Sequence, residues 1–294
     1  MERAEDLGLE HIWSGNDLLG EGPLWDHRAG VLYWVDIEKS LIHRFDPVSG
    51  DVDSLETPSM VGSVALLGEY RLLAAIGRGF YSVEFAKGTC ELLPDGEVEA
   101  VGCLMNDGKV DRHGRFLAGA KDLSEDSPVA SVWRYDGQAI KPVMEGFTVF
   151  NGPAFSPDGK TIYFTDSPGQ VIFRADYDPQ SGCISAREEF ARLGEGDGYP
   201  DGMTVDAEGC LWNAHWDGWR ITRYRPDGAI DRVISMPVKR ATSLCFGGVD
   251  LKTLFVTSAC TRFTEDELAE NPAAGTLFAL KPGVVGLPEA TVKE

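Results

Sequence analysis

The sequence predicts an all-β fold, a single six-bladed β-propeller formed by residues 1–294. Three observations support this prediction: six similar β-hairpin units recur along the chain, their spacing is nearly constant, and further amphipathic strands follow them. Repeats of about 40 to 50 residues that contain only short strands are typical of propeller blades. Because one such unit cannot bury both faces of its sheet alone, the six units must stack in a ring.

The clearest hairpin covers residues 151–166. Asn151 opens it, a short apolar run follows, Pro157-Asp158-Gly159 forms a tight turn, and a run rich in β-branched and aromatic residues returns. The six hairpins begin at residues 21, 63, 106, 151, 201 and 243, so the intervals are 42, 43, 45, 50 and 42 residues. This regularity predicts one blade for each hairpin.

A third strand is predicted after each of the first five hairpins, because apolar and polar residues alternate there. Such alternation is typical of a strand that packs on one face and is solvated on the other. The predicted third strands cover residues 42–46, 80–84, 132–136, 172–176 and 221–225.

The two ends of the chain are predicted to share the last blade. A lone strand around Ile12 precedes the first hairpin, and only one convincing strand, around Leu277, follows the last one. If these two strands pair, the ring closes without an exposed edge. Thr264 and Glu267 have the spacing of a capping box, which predicts one or two turns of helix inside this blade.

Charge and cysteine content limit the partners of the chain. The formal net charge is -20 and the isoelectric point is about 4.6, which disfavours nucleic acid and membrane partners. Six scattered cysteines form no metal-binding spacing, and no apolar leader is evident, so we expect reduced cysteines and a cytoplasmic protein. We also expect a monomer or weak dimer.

The 120–131 and 193–200 loops are longer than simple turns and are expected to form the walls of a pocket.

The first residues of the six hairpins should converge near one end of the propeller axis, because the first strand of each blade lines the channel. Two carboxylates and two carboxamides among them suit Ca²⁺, Mg²⁺, Mn²⁺ or an oxygen-rich zinc site. Asn-Gly and Asp-Gly are also ordinary turn dipeptides, but their recurrence at equivalent positions favours ligands over turns. We expect the following glycines to let backbone and ion approach closely. The six residues are Glu21, Ser63, Asn106, Asn151, Asp201 and Ser243.

Several motifs resemble, in the same order, those of the SMP-30/gluconolactonase/regucalcin-like family, and the resemblance covers about residues 21–288. They are Leu19-Gly20-Glu21-Gly22-Pro23-Leu24-Trp25, Asn106-Asp107-Gly108-Lys109-Val110-Asp111, Asn151-Gly152-Pro153 with Ser156-Pro157-Asp158-Gly159, Tyr199-Pro200-Asp201-Gly202-Met203, and the ending Ala274-Gly275-Thr276-Leu277-Phe278-Ala279-Leu280 with Gly286-Leu287-Pro288.

The resemblance implies a six-bladed propeller that binds one divalent cation (Ca²⁺, Zn²⁺, Mg²⁺, Mn²⁺ or Fe²⁺) and hydrolyses a sugar lactone. Glu21, Asn151 and Asp201 match the family's metal ligands, and Asp201 also matches its general base. Asn106 matches a residue that contacts metal-bound water or substrate. A cation that polarises the lactone carbonyl, with a carboxylate that accepts a proton from water, is chemically sufficient for this reaction. Accordingly, no G-x-S-x-G nucleophile elbow is found.

The chain departs from the family at Leu104, where many members carry an arginine that reaches substrate hydroxyls. Either another cation, such as Lys121 or Arg220, supplies this contact, or the substrate is less hydroxylated there. Trp216 and Trp219 are equally well explained as a sugar-binding wall and as core residues. His215 could face the channel, but a loop histidine with satisfied hydrogen bonds is the favoured interpretation.

Two other functions remain open at this stage. The same fold and ion would also suit an organophosphate or aryl-ester hydrolase, and the apolar Leu104 makes this less remote. A non-catalytic metal-binding or interaction propeller is a further alternative, although convergent carboxylates are not expected in a pure scaffold.

Overall fold

The computed structural model describes residues 1–294 and contains six antiparallel sheets around a common axis. The chain begins with β1 (Glu2–Arg3) and β2 (Glu10–Trp13) before the first blade. Blade 1 consists of β3 (Gly20–Asp26), β4 (Val31–Asp36), β5 (Leu41–Phe45) and β6 (Val52–Glu56). Blade 2 consists of β7 (Val61–Leu67), β8 (Arg71–Ile76), β9 (Gly79–Glu84) and β10 (Thr89–Glu97).

The next three blades repeat this arrangement. Blade 3 consists of β11 (Cys103–Val110), β12 (Phe116–Asp122), β13 (Ala130–Tyr135) and β14 (Ile140–Phe147). Blade 4 consists of β15 (Phe150–Phe155), β16 (Thr161–Asp166), β17 (Val171–Asp176) and β18 (Glu188–Arg192). Blade 5 consists of β19 (Tyr199–Val205), β20 (Leu211–Trp216), β21 (Arg220–Tyr224) and β22 (Ile230–Ser235). The predicted third strands are therefore confirmed within two residues at each end.

The last blade uses both ends of the chain, as predicted. It consists of β23 (Ala241–Gly247), β24 (Thr253–Ser258), β25 (Leu277–Leu280) and the N-terminal β2, which pairs with β25 in antiparallel orientation. The helix α1 (Glu265–Glu270) lies between β24 and β25 and has the predicted capping box. It is the one α-helix of the structure, and no helix is long and apolar enough to cross a membrane.

Two short strands extend the sheets in ways that the sequence did not predict. The N-terminal β1 lies parallel to β22 at the outer edge of blade 5. At the other end of the chain, β26 (Thr291–Val292) lies parallel to β7, the inner strand of blade 2. Each pairing joins only two residues, too short to be recognised from hydrophobic periodicity.

Aromatic side chains pack between neighbouring blades. Trp25 stacks on Phe255 between blades 1 and 6, with ring centroids 5.8 Å apart. Edge-to-face pairs join blades 2 and 3, 3 and 4, and 5 and 6; they are Phe80–Phe116, Phe147–Phe150 and Trp212–Phe246. Such pairs add about 1 kcal/mol each beyond the burial of their area. The inner strands are thereby fixed relative to one another around the axis.

Candidate functional site

A β-bulge occurs at the same place in the inner strand of every blade. The pairing between the first and second strands shifts register close to the start of the inner strand in all six sheets. A bulge bends the strand and redirects a side chain, and bulges are frequent beside active sites. Glu21, Asn106, Asn151 and Asp201 all lie at or within such a shift. The inner strands thus present these side chains at one end of the channel.

These four side chains line one cavity of about 290 Å³. Each is almost completely buried, with 4 to 5% of its surface exposed. Blades 3, 4 and 5 contribute the rest of one side of the wall, which consists of Lys121, Glu125, Val149, Ser167, Pro168, Tyr199 and Trp216. Blades 1 and 6 contribute the other side, which consists of Leu19, Ile37, Glu38, Thr261 and Arg262. We call the surface formed by Glu21, Asn106, Asn151 and Asp201 the floor of the cavity.

The two serines predicted at the same level do not reach this cavity. Ser243 lines a small space further along the channel, together with Asp107 and Glu289. The Ser63 hydroxyl is buried and has no hydrogen-bond partner. Ser243 lies inside its register shift, one position later than Asn106 and Asp201 lie in theirs, and Ser63 is the residue at which its shift ends. A one-residue change of position along a strand reverses the side-chain direction.

Hydrogen bonds between blades 3 and 4 fix the carboxamide of Asn151. Asn106 Nδ2 donates to Asn151 Oδ1 at 2.8 Å and to Phe150 O at 2.9 Å. Asn151 Nδ2 donates to Ser167 Oγ at 2.9 Å. From the residue after Asn106, Asp107 Oδ2 accepts a hydrogen bond from Gly152 N at 3.0 Å. Four hydrogen bonds therefore hold the chain around Asn151 in one conformation.

The glycines after the floor residues meet requirements of the backbone and of blade packing. Gly22 and Gly152 have φ values of 50° and 81°, in the left-handed region that other residues rarely adopt. Gly202 has an ordinary φ, but a Cβ at this position would collide with Ser243 of the neighbouring blade. The bulge and the close packing of blades therefore each require glycine at these positions, and the close approach of an ion stays a prediction.

Three buried carboxylates face one another without a cationic partner. Burial, followed by the charges of Asp201 and Asp107, raises the pKa of Glu21 well above its usual range. Burial and the charge of Asp107 raise the pKa of Asp201 in the same way, and burial raises the pKa of Asp107 to about 7. None of the three forms an ion pair, although the charge of Lys121 lowers the pKa of Glu21 and Asp201 and that of Lys109 lowers the pKa of Asp107.

This donor set fits a hard divalent cation. No three His, Cys, Asp or Glu side chains of the structure form a group that could hold a metal by themselves; the floor offers two carboxylates and two carboxamides instead. Buried carboxylates that repel each other are stable when a cation compensates their charge. Oxygen donors of this kind suit Ca²⁺, Mg²⁺, Mn²⁺ and oxygen-rich zinc sites.

Of the two cations proposed to replace the missing arginine, Lys121 lines the cavity and Arg220 does not. Lys121 is the direct cross-strand partner of Leu104 on β11 and β12, so the two side chains leave the same face of the sheet. Leu104 is not among the residues that line the cavity, whereas Lys121 is. Lys121 is absent from the ion-paired lysines of the protein. Arg220 instead pairs with Asp197, outside the cavity.

Of the two tryptophans considered for a sugar-binding wall, only one lines the cavity. Trp216 lines the cavity, and Arg240 stacks on it with its guanidinium carbon 4.6 Å from the ring centroid. Trp219 is 41% exposed and lies away from the cavity. His215 is buried, and its Nδ1 donates to Asp197 O at 2.8 Å, which makes it a positioning residue of the loop before β19.

Sequence reasoning missed Asp107, Glu125 and Arg262. Asp107 was part of a recognised motif, but only the bulge between Met105 and Gly108 turns its carboxylate towards blade 4. Glu125 belongs to the long loop that was expected to wall the pocket, as it does. No local sequence pattern marks Arg262, because its contact with Glu125 joins residues 137 positions apart.

A closed six-bladed β-propeller with one oxygen-lined cavity at an end of its axis is the class of protein that this fold and site define. Comparison with known proteins places it more narrowly. Residues 19–260 match the profile described as the SMP-30/Gluconolactonase/LRE-like region, and the chain belongs to this family.

Relatives of the chain include lactonases. It is 38% identical to a 6-deoxy-6-sulfogluconolactonase of Pseudomonas putida, over 92% of this chain and 94% of the relative. It is 34% identical to a pentonolactonase of Haloferax volcanii, over 92% and 93% of the two chains. The crystal structure of a calcium-binding protein, regucalcin, from Agrobacterium tumefaciens superposes with a TM-score of 0.92 at 28% identity, covering 96% of both chains.

We predict that His215 makes the stability of the protein depend on pH. Burial lowers its pKa from 6.5 to about 4, so the fold retains the neutral imidazole. Because only the unfolded chain binds a proton at His215 between pH 6.5 and 4, the free energy of unfolding is unaffected by this residue above pH 6.5. It falls progressively as the pH is lowered towards 4, by about 3 kcal/mol in total. Denaturant unfolding of wild type and His215→Gln between pH 7 and 4 measures it. Parallel pH profiles of the two proteins would contradict the prediction.

Proposed function

We propose that this protein is a metal-dependent sugar lactonase, which hydrolyses an aldonolactone to the aldonic acid. The observation that carries the proposal is the pair of buried carboxylates, Glu21 and Asp201, which share one cavity with the Asn151 carboxamide, form no ion pair and have a raised pKa. The names of the lactonase relatives support the same reaction and a small sugar lactone as the substrate.

Glu21, Asn151 and Asp201 would hold the cation. When bound there, a divalent cation supplies Lewis acidity for the lactone carbonyl and offsets the repulsion between the two carboxylates. Calcium binding by the regucalcin that shares this fold is consistent with oxygen ligands of this type. Asn151 is already oriented by Asn106 and Ser167, so one ligand needs no reorganisation.

Asp201 would act as the general base. Its carboxylate accepts a proton from the water that adds to the carbonyl carbon, and the ring C–O bond then breaks. The proton is delivered to the ring oxygen, which leaves as the hydroxyl of the aldonic acid. Because water is the nucleophile, the chain needs no activated serine or cysteine.

Asn106 and Lys121 would bind the substrate. Asn106 Nδ2 donates hydrogen bonds to Asn151 and Phe150, whereas Oδ1 accepts no hydrogen bond within the protein. Oδ1 is therefore the atom of Asn106 that can contact the substrate. Lys121 Nζ has three donors and no acidic partner, so it can donate to the hydroxyl groups of a lactone. In this role Lys121, on the neighbouring strand β12, supplies the positive charge that the family's arginine would supply at the position of Leu104.

The structure also weakens the case for an organophosphate or aryl-ester hydrolase. The apolar Leu104 made that alternative less remote, but Leu104 does not line the cavity. A polar, cationic wall favours a hydroxylated substrate over an aryl ester.

Asp201→Asn should abolish turnover and leave the fold intact. Loss of the general base is expected to lower kcat by about 10²- to 10⁴-fold. Proton release from a panel of aldonolactones measures turnover, and circular dichroism measures the fold. Asp227→Asn, in an exposed turn, is the matched control and should retain full activity. An active Asp201→Asn variant would contradict the role of this residue, and an inactive wild type would favour a scaffold.

Lys121→Met should raise KM for a hydroxylated lactone about tenfold, because a charged hydrogen bond to the bound substrate is lost. Its kcat should change little, since the contact is equally strong in the ground state and the transition state. Lys141→Met, on the exposed outer strand β14, is the control. Unchanged KM in Lys121→Met would show that this lysine does not contact the substrate.

A further inference from the structure

Loops of two opposite blades meet above the cavity. The inner strands contact one another in the order β3, β7, β11, β15, β19, β23 and back to β3, so blades 3 and 6 face each other across the axis. The loop after β12 carries Glu125, and the loop after β24 carries Arg262. Both second strands run antiparallel to their inner strands, so both loops leave from the end of the propeller where the cavity lies.

Glu125 and Arg262 form a bidentate ion pair across this end. Arg262 Nη1 donates to Glu125 Oε2 at 3.0 Å, and Arg262 Nη2 donates to Glu125 Oε1 at 2.8 Å. Both residues line the cavity whose floor contains the proposed metal ligands. We call them the roof pair, because they join opposite sides of the ring on the solvent side of the buried floor.

The loop that carries Arg262 is held rigidly. Arg240 Nη1 donates to Thr261 O, and the Arg240 guanidinium carbon lies 4.0 Å from the centroid of Phe263. On its other side, Thr261 Oγ1 donates to Glu38 Oε2 at 2.7 Å. The residues on both sides of Arg262 are therefore anchored, which suits a group that must present its donors in a fixed direction.

The backbone at the roof pair adopts an uncommon conformation. Glu125 and Arg262 have φ values of 57° and 59°, in the left-handed region that residues other than glycine rarely occupy. Their side chains are 32% and 59% exposed, and an exposed ion pair contributes about 0 to 1 kcal/mol to stability. Stability alone gives little reason to maintain this arrangement, and such backbone outliers cluster at ligand-binding sites.

The roof pair retains capacity for further hydrogen bonds. A guanidinium group has five N–H donors, of which two contact Glu125, and each carboxylate oxygen keeps a lone pair. A hydroxyl group can donate to Glu125 and accept from Arg262 at the same time. The pair has no net charge, so it offers no electrostatic advantage to an ionised substituent.

We propose that Glu125 and Arg262 bind the exocyclic hydroxyl groups of the lactone and select neutral substrates with a hydroxylated side chain. This inference rests on the proposed function. A lactone whose carbonyl is held at the floor, by the cation that Glu21 and Asp201 would bind, directs the opposite end of its ring towards the solvent side of the cavity, where the roof pair lies.

The test compares two lactones that differ at this end. D-galactono-1,4-lactone carries an exocyclic diol, and D-erythrono-1,4-lactone has no exocyclic carbon. Glu125→Gln and Arg262→Gln should each raise KM for the galactonolactone about tenfold and leave kcat/KM for the erythronolactone unchanged. The double variant should be no worse than either single variant, because the pair acts as a unit. Glu189→Gln, in the exposed Glu189–Arg192 pair of β18, is the control.

Each other result overturns the proposal. Equal losses for both lactones would mean that the pair acts on the fold or on access to the cavity, and no loss for either would mean that it does not contact substrate. A wild-type preference for 6-phosphogluconolactone that disappears in Arg262→Gln, but not in Glu125→Gln, would assign Arg262 to an anionic substituent. If wild type hydrolyses no lactone, the proposed function itself fails, and the subsite with it.

Discussion

The bulge in each inner strand is the constraint on which the rest of the site depends. A regular strand would send alternate side chains to opposite faces of its blade, into the packing between neighbouring sheets. The register shifts after Glu21 and Asn151, and around Asn106 and Asp201, instead bring polar side chains to the axis while the apolar side chains remain between blades. Aromatic pairs between blades then hold these strands in position.

This geometry creates an electrostatic problem that a cation solves. Burial raises the pKa of Glu21, Asp107 and Asp201, the charge of Asp107 adds to the rise for the other two, and the protein supplies no ion pair for any of them. Deeper in the channel, by contrast, the protein supplies its own compensation, because Lys109 Nζ lies 3.0 Å from Glu289 Oε1 of the C-terminal segment. One end of the channel thus contains an internal ion pair, and the other contains the carboxylates that we propose to bind a cation.

Much of the fold was predictable because it repeats. The period of 42 to 50 residues, the turn residues and the alternation of third strands are local signals, and each recurs often enough to be recognised. The pairing of β2 with β25 followed from the need to remove an exposed edge. The parallel strands β1 and β26 were not predictable, since each rests on two residues and on contacts with distant parts of the chain.

The site was predictable only in part. Glu21, Asn106, Asn151 and Asp201 share a cavity as the recurring hairpin starts indicated, but Ser63 and Ser243 do not, because the sequence does not reveal where each bulge falls. The choice between Lys121 and Arg220 required the cross-strand register of β11 and β12. Contacts across the ring, such as that between Glu125 and Arg262, depend on the closure of the whole propeller and have no local signature.

The most direct test of the account is the response of metal-stripped protein to added divalent cations. Proton release from pentono- and hexonolactones would be followed with Ca²⁺, Mg²⁺, Mn²⁺, Zn²⁺ or Fe²⁺ restored, with spontaneous hydrolysis subtracted, and thermal unfolding would be recorded in the same samples. The account predicts that stripped protein is inactive, and that a cation which restores turnover also stabilises the fold, by about 2.7 kcal/mol at a hundredfold excess over its Kd. Lactone hydrolysis that is undiminished in stripped protein, or cations that change neither turnover nor stability, would contradict it.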